Sequence, residues 1–152
     1  LACLSFVMMS LAAGVFACKT RPAATEVTSI PPREAYGMLL NDFAVLIDVR
    51  ETDELEDGMA AQARSMPMSK VDAGGADWEA FLAQLPRDKE VILYCAAGRR
   101  AAKVAGLLAA KGYKARVMGG FDDWVGAGLP TKKPGAGAPA APVASPSTAA
   151  GK

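Results

Sequence analysis

Between Glu26 and Pro130 the apolar positions fall into short runs separated by mixed polar segments. Ala44–Val49, AVLIDV, is a continuous apolar run ending on an acid, the pattern of a buried parallel strand. Glu90–Cys95 predicts another strand, and Val27–Ile30, Ala63–Met68 and Ala115–Met118 predict shorter ones. Between them, Pro31-Pro32 opens a helix running to about Leu40, since proline is tolerated in a first turn. Thr52–Asp57 predicts a short acidic helix stopped by Gly58, and Asp77 an N-cap for a helix over Trp78–Leu85. Arg99–Lys111 predicts a helix ended by Gly112, and a last helix follows the Gly-Gly turn over Asp122–Gly126. Strand–helix alternation of this kind argues for an α/β domain with a largely parallel sheet. There is no internal repeat.

The two ends break this pattern. Leu1–Cys18 carries no charge, gathers small residues toward its end, and is followed by a polar segment with Lys19 and Arg21. That is the pattern of a secretory signal, and 18 uncharged residues are also at the lower limit for a bilayer span. Val15–Cys18, VFAC, resembles the lipobox of bacterial lipoproteins, in which the cysteine becomes acylated. The expectation is export to the bacterial cell envelope, periplasmic, with the segment cleaved, lipidated at Cys18 or retained. Residues 19–25 then form a tether. Residues 131–152, rich in Ala, Pro and Gly with Val143 as the single large aliphatic, cannot bury enough surface to offset ordering entropy and predict a disordered tail. This leaves 26–130 as one domain.

Seventeen Lys and Arg against 16 Asp and Glu give a net charge of +1, so nothing in the balance favours nucleic acid or an anionic membrane as partner. Membrane contact is expected only through an N-terminal lipid or an uncleaved signal. With no histidine, His-ligated metals, His-based triads and imidazole acid–base catalysis are excluded. Neither a metal nor a cofactor is expected.

The remaining chemistry gathers in Val91–Tyr113, VILYCAAGRRAAKVAGLLAAKGY. Cys95 ends a strand, Ala96-Ala97-Gly98 turn the chain, and Arg99 and Arg100 open a helix. Ligands of parallel sheets bind beyond the carboxyl ends of the strands. A helix N-terminus there offers free N–H groups and partial positive charge, which pushes a thiol toward thiolate. Gly98 gives the loop its backbone freedom, and either arginine can pair with an anionic substrate. The competing reading is a buried, inert thiol beside two surface cations.

YCAAGRRAAKVAGLLAAKGY resembles the active loop and following helix of the rhodanese family, with Cys95, Gly98 and Arg100 on its Cys-x-x-Gly-x-Arg pattern. LIDVRETDELEDG (Leu46–Gly58) resembles the family's Asp-x-Arg strand and acidic helix. GGFDDWVGAGLP (Gly119–Pro130) resembles its Gly-Gly-x-x-x-Trp ending. The ordered set covers about Val27–Pro130. The family's Gly-His-Ile-Pro-Gly-Ala segment is reduced here to Gly58, Ala63 and Pro67, and Ala101 stands where serine or threonine is frequent.

The resemblance implies a three-layer fold, a central, mostly parallel five-stranded sheet flanked by helices, in a monomeric protein. It also implies a sulfurtransferase: Cys95 takes sulfane sulfur from a small anionic donor such as thiosulfate and passes it to cyanide or a thiol. Residues 96–100 form the substrate loop, and Asp48 and Arg50 support it structurally. Trp124 is expected in core and lid packing, and the six acids of Asp48–Asp57 on a solvated face. Arsenate reductases and phosphatases of this fold use Cys-x5-Arg, and position 101 is alanine. A non-catalytic binding module is the remaining alternative. With Cys3 and Cys18 removed or acylated, Cys95 would be the sole free thiol, with no resolving partner to quench a persulfide.

Overall fold

The computed structural model describes residues 27–133; the signal and tether expectations and most of the tail lie outside them. In chain order the elements are β1 (Thr28–Ser29), α1 (Pro32–Leu40), β2 (Ala44–Asp48), a 3-10 turn (Asp53–Leu55), β3 (Met59–Ala60), β4 (Arg64–Ser65) and α2 (Met68–Ala73). They continue as α3 (Ala76–Ala83), β5 (Glu90–Cys95), α4 (Arg99–Ala110), β6 (Lys114–Gly120), α5 (Phe121–Gly126) and β7 (Thr131–Lys132). The main sheet is five-stranded in the order β1-β6-β5-β2-β4, and every pairing is parallel.

Both faces of that sheet are covered, as the unbroken apolar runs require. Successive side chains of a strand point to opposite faces, and β5 divides accordingly. Val91, Leu93 and Cys95 join Trp78, Phe81, Val104 and Leu108 under α3 and α4. Ile92 and Tyr94 join Ala35, Phe121 and Trp124 under α1 and α5. Burying an aliphatic side chain such as Ile92 or Leu93 is worth about 1.5–3 kcal/mol, so the central strand is firmly fixed between two cores. Among the described residues, no helix is long and apolar enough to cross a membrane.

Three local expectations are corrected. The strand expected over Ala63–Met68 shrinks to β4, because Pro67 turns the chain and opens the short helix α2. Asp77 does not cap α3. Gly74 and Gly75, at φ +65° and +73°, start the helix earlier, and the Asp77 carboxylate pairs with Lys70 at 2.8 Å instead. The ordered chain also runs past Pro130: Thr131 and Lys132 pair antiparallel with Ala60 and Met59. The Lys132 ammonium then reaches the Ala63 carbonyl at 2.9 Å. The expectation of a tail is thus corrected for Thr131 and Lys132, because a two-residue strand is held by its partner rather than by its own apolar content.

Candidate active site

Strand β5 ends on Cys95 at the carboxyl edge of the parallel sheet, and α4 begins four residues later. Gly98 makes that turn in the left-handed region, at φ +83°, ψ −24°. Behind the loop, β6 carries a bulge: Leu93 faces Val117, but Tyr94 faces Gly119 and Cys95 faces Gly120. The bulge brings two glycines beneath the turn. Gly119 sits at φ +105°, and a Cβ on Gly120 would lie 2.4 Å from the Ala96 carbonyl oxygen. The floor of the loop is bare backbone, and the Asp123 carboxylate fixes it by accepting the Gly120 N–H at 2.8 Å.

The Cys95 side chain is buried, with hydrocarbon behind it and main-chain amides in front. The Gly98 N–H donates to its sulfur at 3.1 Å. Burial pushes the thiol up, and the N–H groups of Ala101, Ala97, Arg100 and Gly98 together pull it down by more. The outcome is a thiol held below its ordinary range, as a helix N-terminus favours. Among the described residues it is the one free cysteine.

The two loop arginines separate. Arg99 is exposed and makes no ion pair among the described residues, whereas Arg100 is gripped by Glu54 on the 3-10 turn. Its Nη2 reaches Oε1 at 2.7 Å, and its Nη1 bonds the second carboxylate oxygen. This pairing holds the Glu54 carboxyl at about 2. Ala96 and Ala97 are exposed at the crest of the loop.

Asp48 and Arg50 form a buried pair beneath that turn, with 0% and 4% of their surfaces exposed. Arg50 Nη2 donates to Asp48 Oδ2 at 2.8 Å and to the Gly58 carbonyl at 2.7 Å, and Nη1 donates to the Glu54 carbonyl at 3.0 Å. Its guanidinium also lies 4.1 Å from the centre of the Phe121 ring. Arg50 thus ties the end of β2 to the middle of the acidic turn at Glu54 and to Gly58 beyond it. A cavity of about 270 Å3 opens beside the loop, lined by Arg50, Glu54, Asp57, Ala96, Phe121 and Asp122. A larger one, about 520 Å3, lies among Leu82, Arg87 and Tyr113, where β5 and β6 begin, away from the thiol.

Sequence reasoning missed Glu54 and Tyr94. Glu54 meets its partner across 46 residues, with no local pattern to announce the pair. Tyr94 reads as strand filler, yet its hydroxyl accepts the Ala60 N–H at 3.0 Å. Among the described residues, no group of three or more His, Cys, Asp or Glu is placed to hold a metal ion.

Comparison with known proteins adds an independent line. A family model described as "Rhodanese-like domain" matches residues 31–127. A thiosulfate sulfurtransferase, GlpE, of Glaesserella parasuis is 30% identical over 105 residues, covering 68% of this chain and 91% of its own. A protein of Allochromatium vinosum called "Sulfurtransferase" is 30% identical over 93 residues, 59% of this chain and 79% of its own. Among solved structures, a rhodanese-related protein of Thermoplasma volcanium superposes with a TM-score of 0.57 at 29% identity, covering 69% of this chain and 97% of that one.

Proposed function

The chain belongs to the rhodanese-like domain family, and from that membership we propose that it transfers sulfane sulfur through a persulfide on Cys95. The Cys95 thiolate attacks the outer sulfur of thiosulfate or a related donor. The donor's S–S bond breaks, sulfite leaves with the electron pair, and Cys95 carries one added sulfur. Cyanide or a thiolate then attacks that outer sulfur, and Cys95 departs as thiolate. No oxidant is consumed and no general base is required once the thiol is ionised.

The observation that carries this reading is the cup around the sulfur: a Gly98 N–H 3.1 Å away, with three further amides lowering the thiol's pKa. The same donors would stabilise the terminal sulfur anion of a persulfide without protonating it. With four residues between Cys95 and Arg100 and alanine at 101, the loop is one residue short of the Cys-x5-Arg cradle for a tetrahedral oxyanion.

The test is thiosulfate:cyanide sulfurtransfer by the purified protein beside Cys95→Ser, with mass spectrometry of the intact chain. The expected result is turnover with a mass gain of one sulfur atom on Cys95, both abolished by the substitution. Activity surviving in Cys95→Ser would refute the mechanism, and failure with every sulfur donor would make the protein a binding module.

A further inference from the structure

We propose that Glu54, together with Asp57 and Asp122, sets the charge of the molecules this site accepts, and that its acceptor is a thiol carrying an ammonium group; the proposal rests on the sulfurtransferase reading above. Two arginines beside a sulfur would ordinarily draw in anions. Here Glu54 occupies the Arg100 guanidinium with both carboxylate oxygens. That fork is what a bidentate anion would otherwise fill. Arg50, the other cation at the cavity, is matched by the buried Asp48 carboxylate.

What remains on the cavity wall is Asp57 and Asp122, neither of them in an ion pair among the described residues, with the Phe121 ring beside them. Glu56 and Asp53 lie on the same turn. The counter-charges in the neighbourhood are peripheral: Arg99 is exposed on α4, and the Lys133 ammonium donates to the Glu56 carbonyl at 2.7 Å. The cavity beside the Cys95 loop therefore carries an excess of negative charge, and Ala96, the residue after Cys95, is the part of the loop in its wall.

Such a field acts on both half-reactions. It disfavours a dianionic donor and raises its KM. It also gathers a thiol whose ammonium can sit against Asp57 and Asp122 while its sulfur reaches the persulfide. In that step the acceptor thiolate attacks the outer sulfur of Cys95–S–SH, forming the acceptor persulfide. The Cys95–sulfur bond breaks and its electron pair stays on the Cys95 thiolate.

The experiment loads Cys95 with saturating thiosulfate, removes the excess, and measures single-turnover discharge by cysteamine, which is cationic, and by mercaptopropionate, which is anionic. The ratio of the two rates in the unaltered protein is divided by the same ratio in Glu54→Gln and in Asp122→Asn, which cancels the intrinsic reactivity of each thiol. Removing one carboxylate at ~7 Å from the acceptor's charge in a mostly solvated site changes each rate about threefold in opposite directions, so the ratio should fall about tenfold and the preference should shrink with salt. In Glu54→Gln, the KM for thiosulfate should also fall. Asp122 makes no side-chain bond within the described residues, so its variant decides the matter even where Glu54→Gln loosens the loop. A ratio unchanged within twofold in Asp122→Asn overturns the proposal while leaving sulfur transfer intact. If Cys95 takes up no sulfur at all, the sulfurtransferase reading falls first and this inference with it.

Discussion

At the residue scale the molecule turns on a competition around one sulfur. Desolvation alone would make Cys95 an inert, protonated core residue, and four amides reverse that. The sign of the resulting pH dependence is definite. A folded pKa below the unfolded one means that ionisation of Cys95 favours the folded state at alkaline pH. That contribution is lost as pH falls through the folded value. Over the same window the reactive fraction persists below the ordinary thiol range. Thiolate ultraviolet absorbance, or the rate of alkylation by iodoacetamide, should accordingly have its midpoint below that of a free cysteine. In Gly98→Ala the midpoint should move up. The added Cβ meets nothing closer than 3.6 Å, but the +83° backbone is one that alanine occupies only at a cost of about 1–2 kcal/mol, so the loop and its N–H groups shift. An unchanged midpoint in that variant would mean that the Gly98 amide does not tune the thiol. Cys95 and the amide-rich turn were legible in the sequence because strand, glycine and helix are contiguous there. The division of labour between Arg99 and Arg100 was not, because Glu54 decides it from another element.

At the scale of elements, the site depends on β6 as much as on the loop it supports. The bulge opposite Leu93 and Tyr94 lets Gly119 and Gly120 slide under Ala96, and Gly120 is the tightest point. Gly120→Ala should displace the Ala96 carbonyl and with it the first turn of α4. Overpacking of this kind costs about 1–3 kcal/mol. The expected outcome is a folded protein, by circular dichroism, whose sulfur uptake falls far more than its urea midpoint. Uptake equal to that of the unaltered protein would show that the loop does not need its bare floor. The Gly-Gly turn was visible as a turn, but its use as a platform could not be read from one strand alone. The same reason explains which elements the sequence yielded. β2, β5 and α4 carry enough apolar periodicity to declare themselves, and they appear within a residue or so of the expected bounds. β3 and β7 are two residues each and exist only because they pair with one another. α2 is six residues with serine, lysine and aspartate among them, and proline and glycine set its ends rather than an apolar stripe.

At the scale of the whole molecule, the small antiparallel sheet packs beside α5, and Tyr94 joins it to the central one. Its ring is buried between the β5 backbone and Phe121, and its hydroxyl accepts the N–H of Ala60 in β3. Burial and the nearby Asp48 carboxylate keep that phenol protonated far above its usual range, so the link does not titrate under ordinary conditions. The segment after α5 is fastened to the same patch: the Trp124 indole N–H and the Ala61 N–H both donate to the Pro130 carbonyl, each at 2.9 Å. Tyr94→Phe tests this coupling, since it keeps the ring and removes the hydroxyl, which faces the Asp48 carboxylate as well as the Ala60 N–H. Ala60 is fully buried, so its N–H would be left without a partner at a cost of about 1–3 kcal/mol. The unfolding free energy from urea titration should fall by that amount, and the Ala60 amide should exchange with deuterium much faster than the β5 amides next to Tyr94. Uniform acceleration across both sheets would instead mean that the domain opens only as one unit. Exchange at Ala60 no faster than in the unaltered protein would mean that the hydroxyl is not what holds the small sheet in place.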